Sequence, residues 1–123
     1  MKNFVLGVMT ISLGLVFLQG CTYDKEIAAP ISACADTINV SFTTRVRPIL
    51  ESNCFSCHGN GENDGNISLD THDKVKQVAI SGRLLGAISH TQGFAPMPIG
   101  AAKLNNCNIT AIRTWITEGS QNN

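Results

Sequence analysis

The residues of this chain that could do chemistry cluster at Cys54, Cys57 and His58, in the spacing C-x-x-C-H. This is the attachment pattern of a c-type haem. Two residues between the thiols let one tight turn bring both sulfurs to the two vinyl groups on one porphyrin edge, and the adjacent histidine then lies beneath the iron. A C-x-x-C pair also occurs in redox dithiols and in zinc sites. The full five-residue pattern predicts a covalent haem.

A six-coordinate haem iron needs a second axial ligand, and the candidates are Met97, His72 and His90. Met97 stands between two prolines, which fix the backbone and hold the thioether rigidly. It lies far enough after His58 for the chain to pass round to the other haem face. We expect Met97 to be the ligand, with a core methionine as the alternative. His72 is predicted at the surface, and His90 remains a competing ligand.

The N-terminus carries an export pattern. A positive start precedes an apolar run over residues 4–18, which is too short to span a bilayer comfortably. Residues 18–21 (LQGC) resemble a bacterial lipoprotein box, although a glutamine replaces the usual small second residue. We expect residues 1–20 to be the signal peptide and Cys21 to be the lipidated N-terminus of a tether over 21–40. The alternative is an ordinary signal peptide that leaves Cys21 as a free thiol.

Two of the five cysteines, Cys34 and Cys107, then have no assigned role. In an exported protein two leftover cysteines most simply form a disulfide. Two separate buried thiols are the alternative.

Composition and periodicity predict one small helical domain. The chain has 123 residues, of which 43% are hydrophobic and 15% charged, and its net charge of zero gives no sign of a nucleic-acid partner. An apolar face predicts a first helix that ends about Asn53, with Ser41, Thr43 and Thr44 as candidate N-caps. Pro48 fits best if this helix begins late, near Thr44, or is distorted there. The loop over 59–66 resembles a calcium loop only superficially, because Thr71 stands where the bidentate glutamate is required.

Further helices are predicted in the second half. Asp70 or Thr71 caps a helix that Gly82 interrupts, and residues 83–88 form a short apolar helical turn. Asn105 or Asn106 caps the last helix. Its apolar stripe consists of Ile109, Ile112, Trp115 and Ile116, and Gly119 ends it.

Three segments together carry a family resemblance: RVRPIL over 45–50 before C-x-x-C-H, then Met97-Pro98, then IRTWITEG over 112–119. The chain resembles a small bacterial class I-type cytochrome c domain in a lipoprotein form. That resemblance implies an all-α, cytochrome c-like fold of three to five short helices around one covalently attached haem c. The domain would span 41–119, followed by a polar tail over 120–123, and its first and last helices would cross near one haem edge.

The resemblance also implies roles for single residues. Cys54 and Cys57 would form the thioether attachments, with His58 as proximal and Met97 as distal ligand. The carbonyl of Pro48 or of its neighbour Ile49 would accept the His58 Nδ1–H. The segment between Asn60 and Pro96 and the extra Cys34/Cys107 pair have no detailed match in the family.

The expected function is electron transfer by a mono-haem protein anchored to a membrane through Cys21, facing the periplasm or cell surface. Its partners would be redox proteins, with no small-molecule substrate and no enzymatic activity. One alternative is a haem-based ligand sensor or peroxidase-like domain with an open or labile sixth site. Another is a structural zinc module using the C-x-x-C-H residues and one more cysteine, which the wide separation of Cys34 and Cys107 disfavours.

Overall fold

The computed structural model describes Cys34 and residues 38–123. The predicted signal peptide, the lipidation site Cys21 and most of the predicted tether lie outside the described residues. Within them the chain is all-α, as predicted, and forms no β-strand. The α-helices are α1 (Arg47–Asn53), α2 (Phe55–His58), α3 (His72–Ile80), α4 (Arg83–Ile88) and α5 (Asn106–Thr117). A π-helical turn (Phe42–Val46) precedes α1, and a 3-10 turn (Asp64–Asn66) lies between α2 and α3.

The first helical segment is distorted ahead of its proline. Its side-chain cap is Ser41, one of the predicted candidates, whose Oγ accepts from the Thr44 N–H at 3.3 Å. The backbone then makes a wide π turn in which the Arg47 N–H donates to the Phe42 carbonyl. Pro48 falls in the first turn of α1, where a missing N–H breaks no helical hydrogen bond.

Helices α3 and α4 form a pair broken at Gly82, as predicted. Thr71 caps α3 by accepting from the Lys74 N–H at 3.4 Å. Gly82 has φ +77°, a left-handed conformation that ends one helix and redirects the chain into the next. The two helices pack against each other, and α4 also contacts α5.

Helix α5 provides much of the core. Asn105 caps it by accepting from the Asn108 N–H at 2.8 Å. Its predicted apolar stripe is buried except for the half-buried Ile116. The helix packs against the π-helical turn, where the Phe42 and Trp115 rings lie 5.4 Å apart.

The helical domain extends beyond residues 41–119 at both ends. Val40 is buried, and the N–H groups of Asn39 and Val40 donate to the Glu118 carboxylate at 2.7 and 2.9 Å. Ser120 is also buried, and the Thr43 N–H donates to the Asn123 carbonyl at 2.9 Å. The polar tail over 120–123 is therefore hydrogen-bonded to the domain, although its last three residues are exposed.

Cys34 and Cys107 form the expected disulfide, which joins residues 73 positions apart in the sequence. It holds Cys34 beside the first turn of α5. None of the helices in the described part of the chain is long and apolar enough to cross a membrane.

Candidate functional site

The C-x-x-C-H residues occupy a tight turn directly after α1. The Cys54 N–H still donates to the Leu50 carbonyl at 2.8 Å, and α2 then adds a single helical turn that ends at His58. The buried Phe55 ring packs against Gly59, where an added Cβ would collide with the ring. A side chain at position 59 would therefore displace the turn.

The two cysteines of this turn lie in different environments. Both are free thiols, but Cys57 is exposed whereas Cys54 is half-buried. Burial raises the pKa of the Cys54 thiol to about 11, because the charged thiolate would lose its hydration. Cys54 is thus a neutral thiol at ordinary pH, with its sulfur facing apolar surroundings.

His58 is held by a backbone carbonyl that lies after it in the sequence. Its Nδ1–H donates to the Ile67 carbonyl at 3.0 Å. Because a carbonyl can only accept, this bond places the proton on Nδ1 and leaves the lone pair of the neutral ring on Nε2. His58 is therefore oriented as a ligand that would bind a metal through Nε2.

The prediction that the Pro48 or Ile49 carbonyl accepts the His58 Nδ1–H is wrong. The Pro48 carbonyl accepts from the Ser52 hydroxyl at 2.9 Å, and the Ile49 carbonyl accepts from the Asn53 side-chain amide at 2.7 Å. Both carbonyls are thus engaged within α1.

Asp70 fixes the loop that brings Ile67 to His58. Its carboxylate accepts from the Ser68 hydroxyl at 2.8 Å. This hydrogen bond foremost lowers the pKa of Asp70, with smaller contributions from the nearby backbone N–H groups of Gly61 and Asn60 and from Lys74. Contacts within the loop between the end of α2 and the start of α3 therefore stabilise its conformation.

An apolar cavity of about 340 Å³ lies between the C-x-x-C-H turn and helices α3 and α4. Cys54, His58 and Met97 all line it, although Met97 comes from a distant loop. Cys57 is not among the lining residues. Most of the wall is apolar, including Leu69, Val78, Leu84, Ile88 and Phe94.

The loop between α4 and α5 positions Met97. The Met97 N–H donates to the Ala87 carbonyl at 3.1 Å, which ties the loop to α4. The Phe94 ring packs over Gly86 so closely that an added Cβ would lie 2.5 Å from it. His90 is exposed and donates through Nε2–H to the Met97 carbonyl at 3.1 Å. It does not line the cavity and instead supports the backbone of Met97.

His72 is not the surface residue that the sequence predicted. Its side chain is only 11% exposed. The ring packs edge-on against Phe42 at 4.9 Å, and its Nε2–H donates to the Ser120 carbonyl at 2.9 Å. These partners are distant in sequence, so the polar start of α3 gave no signal of the burial.

Sequence reasoning also missed Arg83. It begins α4 and lines the apolar cavity, but the apolar residues that dominate the segment over 83–88 indicate only a buried helical turn. A lone arginine ahead of an apolar helical turn was the available signal.

A closed zinc site would need a further cysteine near the turn, and Cys34 and Cys107 are bonded to each other. Within the described residues no group of three or more histidine, cysteine or acidic side chains could hold a metal ion.

The residues present fit a haem. A flat apolar macrocycle suits the apolar cavity, one imidazole and one thioether on its wall suit the iron, and the thiol of Cys54 lies at the same wall.

The chain matches no protein-family model, no curated protein and no solved structure.

Proposed function

We propose that the chain is a mono-haem c-type cytochrome that transfers electrons and is not an enzyme. Cys54 and Cys57 attach one haem c, and His58 and Met97 are the axial ligands. The observation that supports this most directly is that Cys54 and His58, from the C-x-x-C-H turn, and Met97, from the distant loop between α4 and α5, line a single apolar cavity.

Each of these residues has a defined role. The Ile67 carbonyl holds His58 with Nε2 available for the iron. The soft thioether of Met97 favours the ferrous state and so raises the reduction potential. The apolar wall disfavours the additional charge of the ferric state and acts in the same direction. The bound haem would supply the Fe(III)/Fe(II) couple. With both axial positions filled by protein, oxygen and peroxide have no coordination site.

The exposed Cys57 marks the side on which the C-x-x-C-H turn meets solvent, and we place electron exchange with redox protein partners there. The net charge of zero disfavours strong electrostatic steering toward a highly charged partner. In this proposal the protein is an exported lipoprotein, anchored through Cys21 and facing the periplasm or cell surface.

Covalent haem is tested by producing the full chain with the cytochrome c maturation machinery. A pyridine haemochrome assay should give one haem per wild-type chain and none for Cys54→Ala/Cys57→Ala. Cys34→Ala/Cys107→Ala is the matched control, because it also removes two cysteines but leaves the turn intact. A wild-type chain without covalent haem would refute the proposal.

The axial ligand is tested on the same haem-bound protein. Met97→Ala should remove the Met–Fe(III) charge-transfer band and allow carbon monoxide to bind. His90→Gln is the control, since glutamine can still donate to the Met97 carbonyl, and its spectrum should match wild type. Loss of the native spectrum only in His90→Gln would assign the ligand to His90. A high-spin wild-type protein that binds carbon monoxide would indicate the sensor or peroxidase alternative instead.

A further inference from the structure

Arg83 lies on the border between two cavities of opposite character. It lines the apolar cavity that contains Cys54, His58 and Met97. It also lines a neighbouring groove of about 350 Å³, and Ile67 and Val78 are shared between the two. The side chain is thus placed where an apolar surface meets a polar one.

The groove is built largely from polar side chains. These are Asn66, Ser68, Lys74, Gln77, Ser81 and Arg83. Lys74 contributes a second cation, although its Nζ is already engaged by Ser68 at 3.1 Å and Asp70 at 3.7 Å. The groove therefore offers hydrogen-bond donors and positive charge next to the apolar cavity.

Arg83 is the cation without a partner at this border. Its guanidinium forms neither an ion pair nor a side-chain hydrogen bond within residues 38–123, whereas Arg47 and Lys74 both face carboxylates. It is also the only permanently charged side chain that lines the apolar cavity in the described structure. A guanidinium in this position offers a two-pronged site for a carboxylate.

A haem is likewise apolar at one edge and charged at another. Its vinyl groups and its two propionate carboxylates lie at different edges, and thioether attachment fixes the vinyl edge at the cysteines. Cys54 lines only the apolar cavity and not the groove. The ionised carboxylates cannot remain among apolar side chains unpaired.

We propose that Arg83, with the polar groove beside it, binds a propionate carboxylate of the haem. This inference rests on the proposed function, and it names the residue that holds the charged edge of the cofactor. Arg83 thereby keeps the propionate ionised beside an apolar cavity.

The test is the pH dependence of the reduction potential of the haem-bound chain, measured by spectroelectrochemistry between about pH 5 and pH 8. An ionised propionate stabilises Fe(III), so the potential falls with rising pH wherever the propionate loses its proton. In wild type, Arg83 should keep the pKa of the propionate below this pH range, so the potential should change little within it. Arg83→Gln should move it upward by about 1 pH unit or more, because an opposite charge at contact distance has that effect on a carboxyl pKa.

Two further variants make the result specific. Arg83→Lys keeps the charge but loses the two-pronged geometry, so its shift should be smaller and in the same direction. Arg113→Gln makes the same change on the exposed face of α5 and should titrate like wild type. If Arg83→Gln yields no haem-bound protein, a shift in Arg83→Lys relative to Arg113→Gln supports the proposal.

The assignment would be overturned if the reduction potential of the Arg83 variants had the same pH dependence as that of wild type. It would also be overturned if Arg83→Gln and Arg113→Gln shifted that dependence equally. A pyridine haemochrome assay on every sample separates these outcomes from failure of the proposed function, in which the wild-type chain itself would hold no covalent haem.

Discussion

At the scale of single residues, Asp70 connects the loop after the C-x-x-C-H turn to the orientation of His58. Its carboxylate accepts a hydrogen bond from Ser68 and lies near the backbone N–H groups of Asn60 and Gly61. The same loop presents the Ile67 carbonyl to the His58 ring. Asp70 thus acts on the candidate site through the backbone, without lining the cavity itself.

Asp70→Asn should make the fold less stable at neutral pH. The folded-state pKa of Asp70 is lowered, so its contribution to stability is present above the unfolded-state pKa of about 3.9 and is lost as the pH falls through the folded-state value. Urea unfolding should therefore show a wild-type advantage at pH 7 that shrinks below about pH 4. Asp64→Asn, on an exposed residue of the same loop, is the control. A difference that stays constant with pH would contradict this role for the Asp70 charge.

At the scale of the helices and loops, local signals were predictable and distant contacts were not. The caps at Thr71 and Asn105 and the break at Gly82 follow from nearby residues, so the sequence located α3, α4 and α5. The burial of His72 depends on Ser120, 48 positions away, and no periodicity encodes that contact. The His58–Ile67 hydrogen bond depends on the conformation of an irregular loop, and helical periodicity does not predict that conformation either.

The loop that carries Met97 is positioned by the close contact of Phe94 with Gly86. Gly86→Ala would place a methyl group against the Phe94 ring, so the ring and its loop must move. We expect a loss of about 1–3 kcal/mol from overpacking, offset in part by the better helix propensity of alanine. Thermal unfolding reports the loss of stability, and the Met–Fe(III) band expected of the proposed haem-bound protein reports the movement of the Met97 loop.

The matched comparison for that change is a double-mutant cycle with Phe94→Ala. Removing the ring gives the new methyl group room, so Gly86→Ala should cost less in the Phe94→Ala background. Equal costs in both backgrounds would show that the Gly86–Phe94 contact does not position the loop.

At the scale of the whole molecule, segments from both ends of the domain close around α5. Glu118 holds the backbone of Asn39 and Val40, and Asn123 receives the Thr43 N–H. The Cys34–Cys107 disulfide adds a covalent link at the other end of the same helix. The cysteine count made that pair predictable, whereas the polar composition of residues 120–123 did not indicate their hydrogen bonds to the domain.

Removing this disulfide should lower stability without changing the cavity that we propose holds the haem. It closes a loop between residues 73 positions apart, and the chain-entropy model gives a contribution of about 4 kcal/mol for a loop of that length. Cys34→Ala/Cys107→Ala should therefore shift the denaturant midpoint of the haem-bound protein strongly downward. Because neither cysteine lines the apolar cavity, its visible spectrum and haem content should match wild type.

Wild-type protein treated with a reductant that opens the disulfide is the control for that variant, and its midpoint should fall by a similar amount. If the reduced wild type keeps its midpoint while the double variant loses stability, the effect belongs to the substituted side chains. If the double variant fails to retain haem, the disulfide is needed to form the cavity, and the separation of stability from haem binding is wrong.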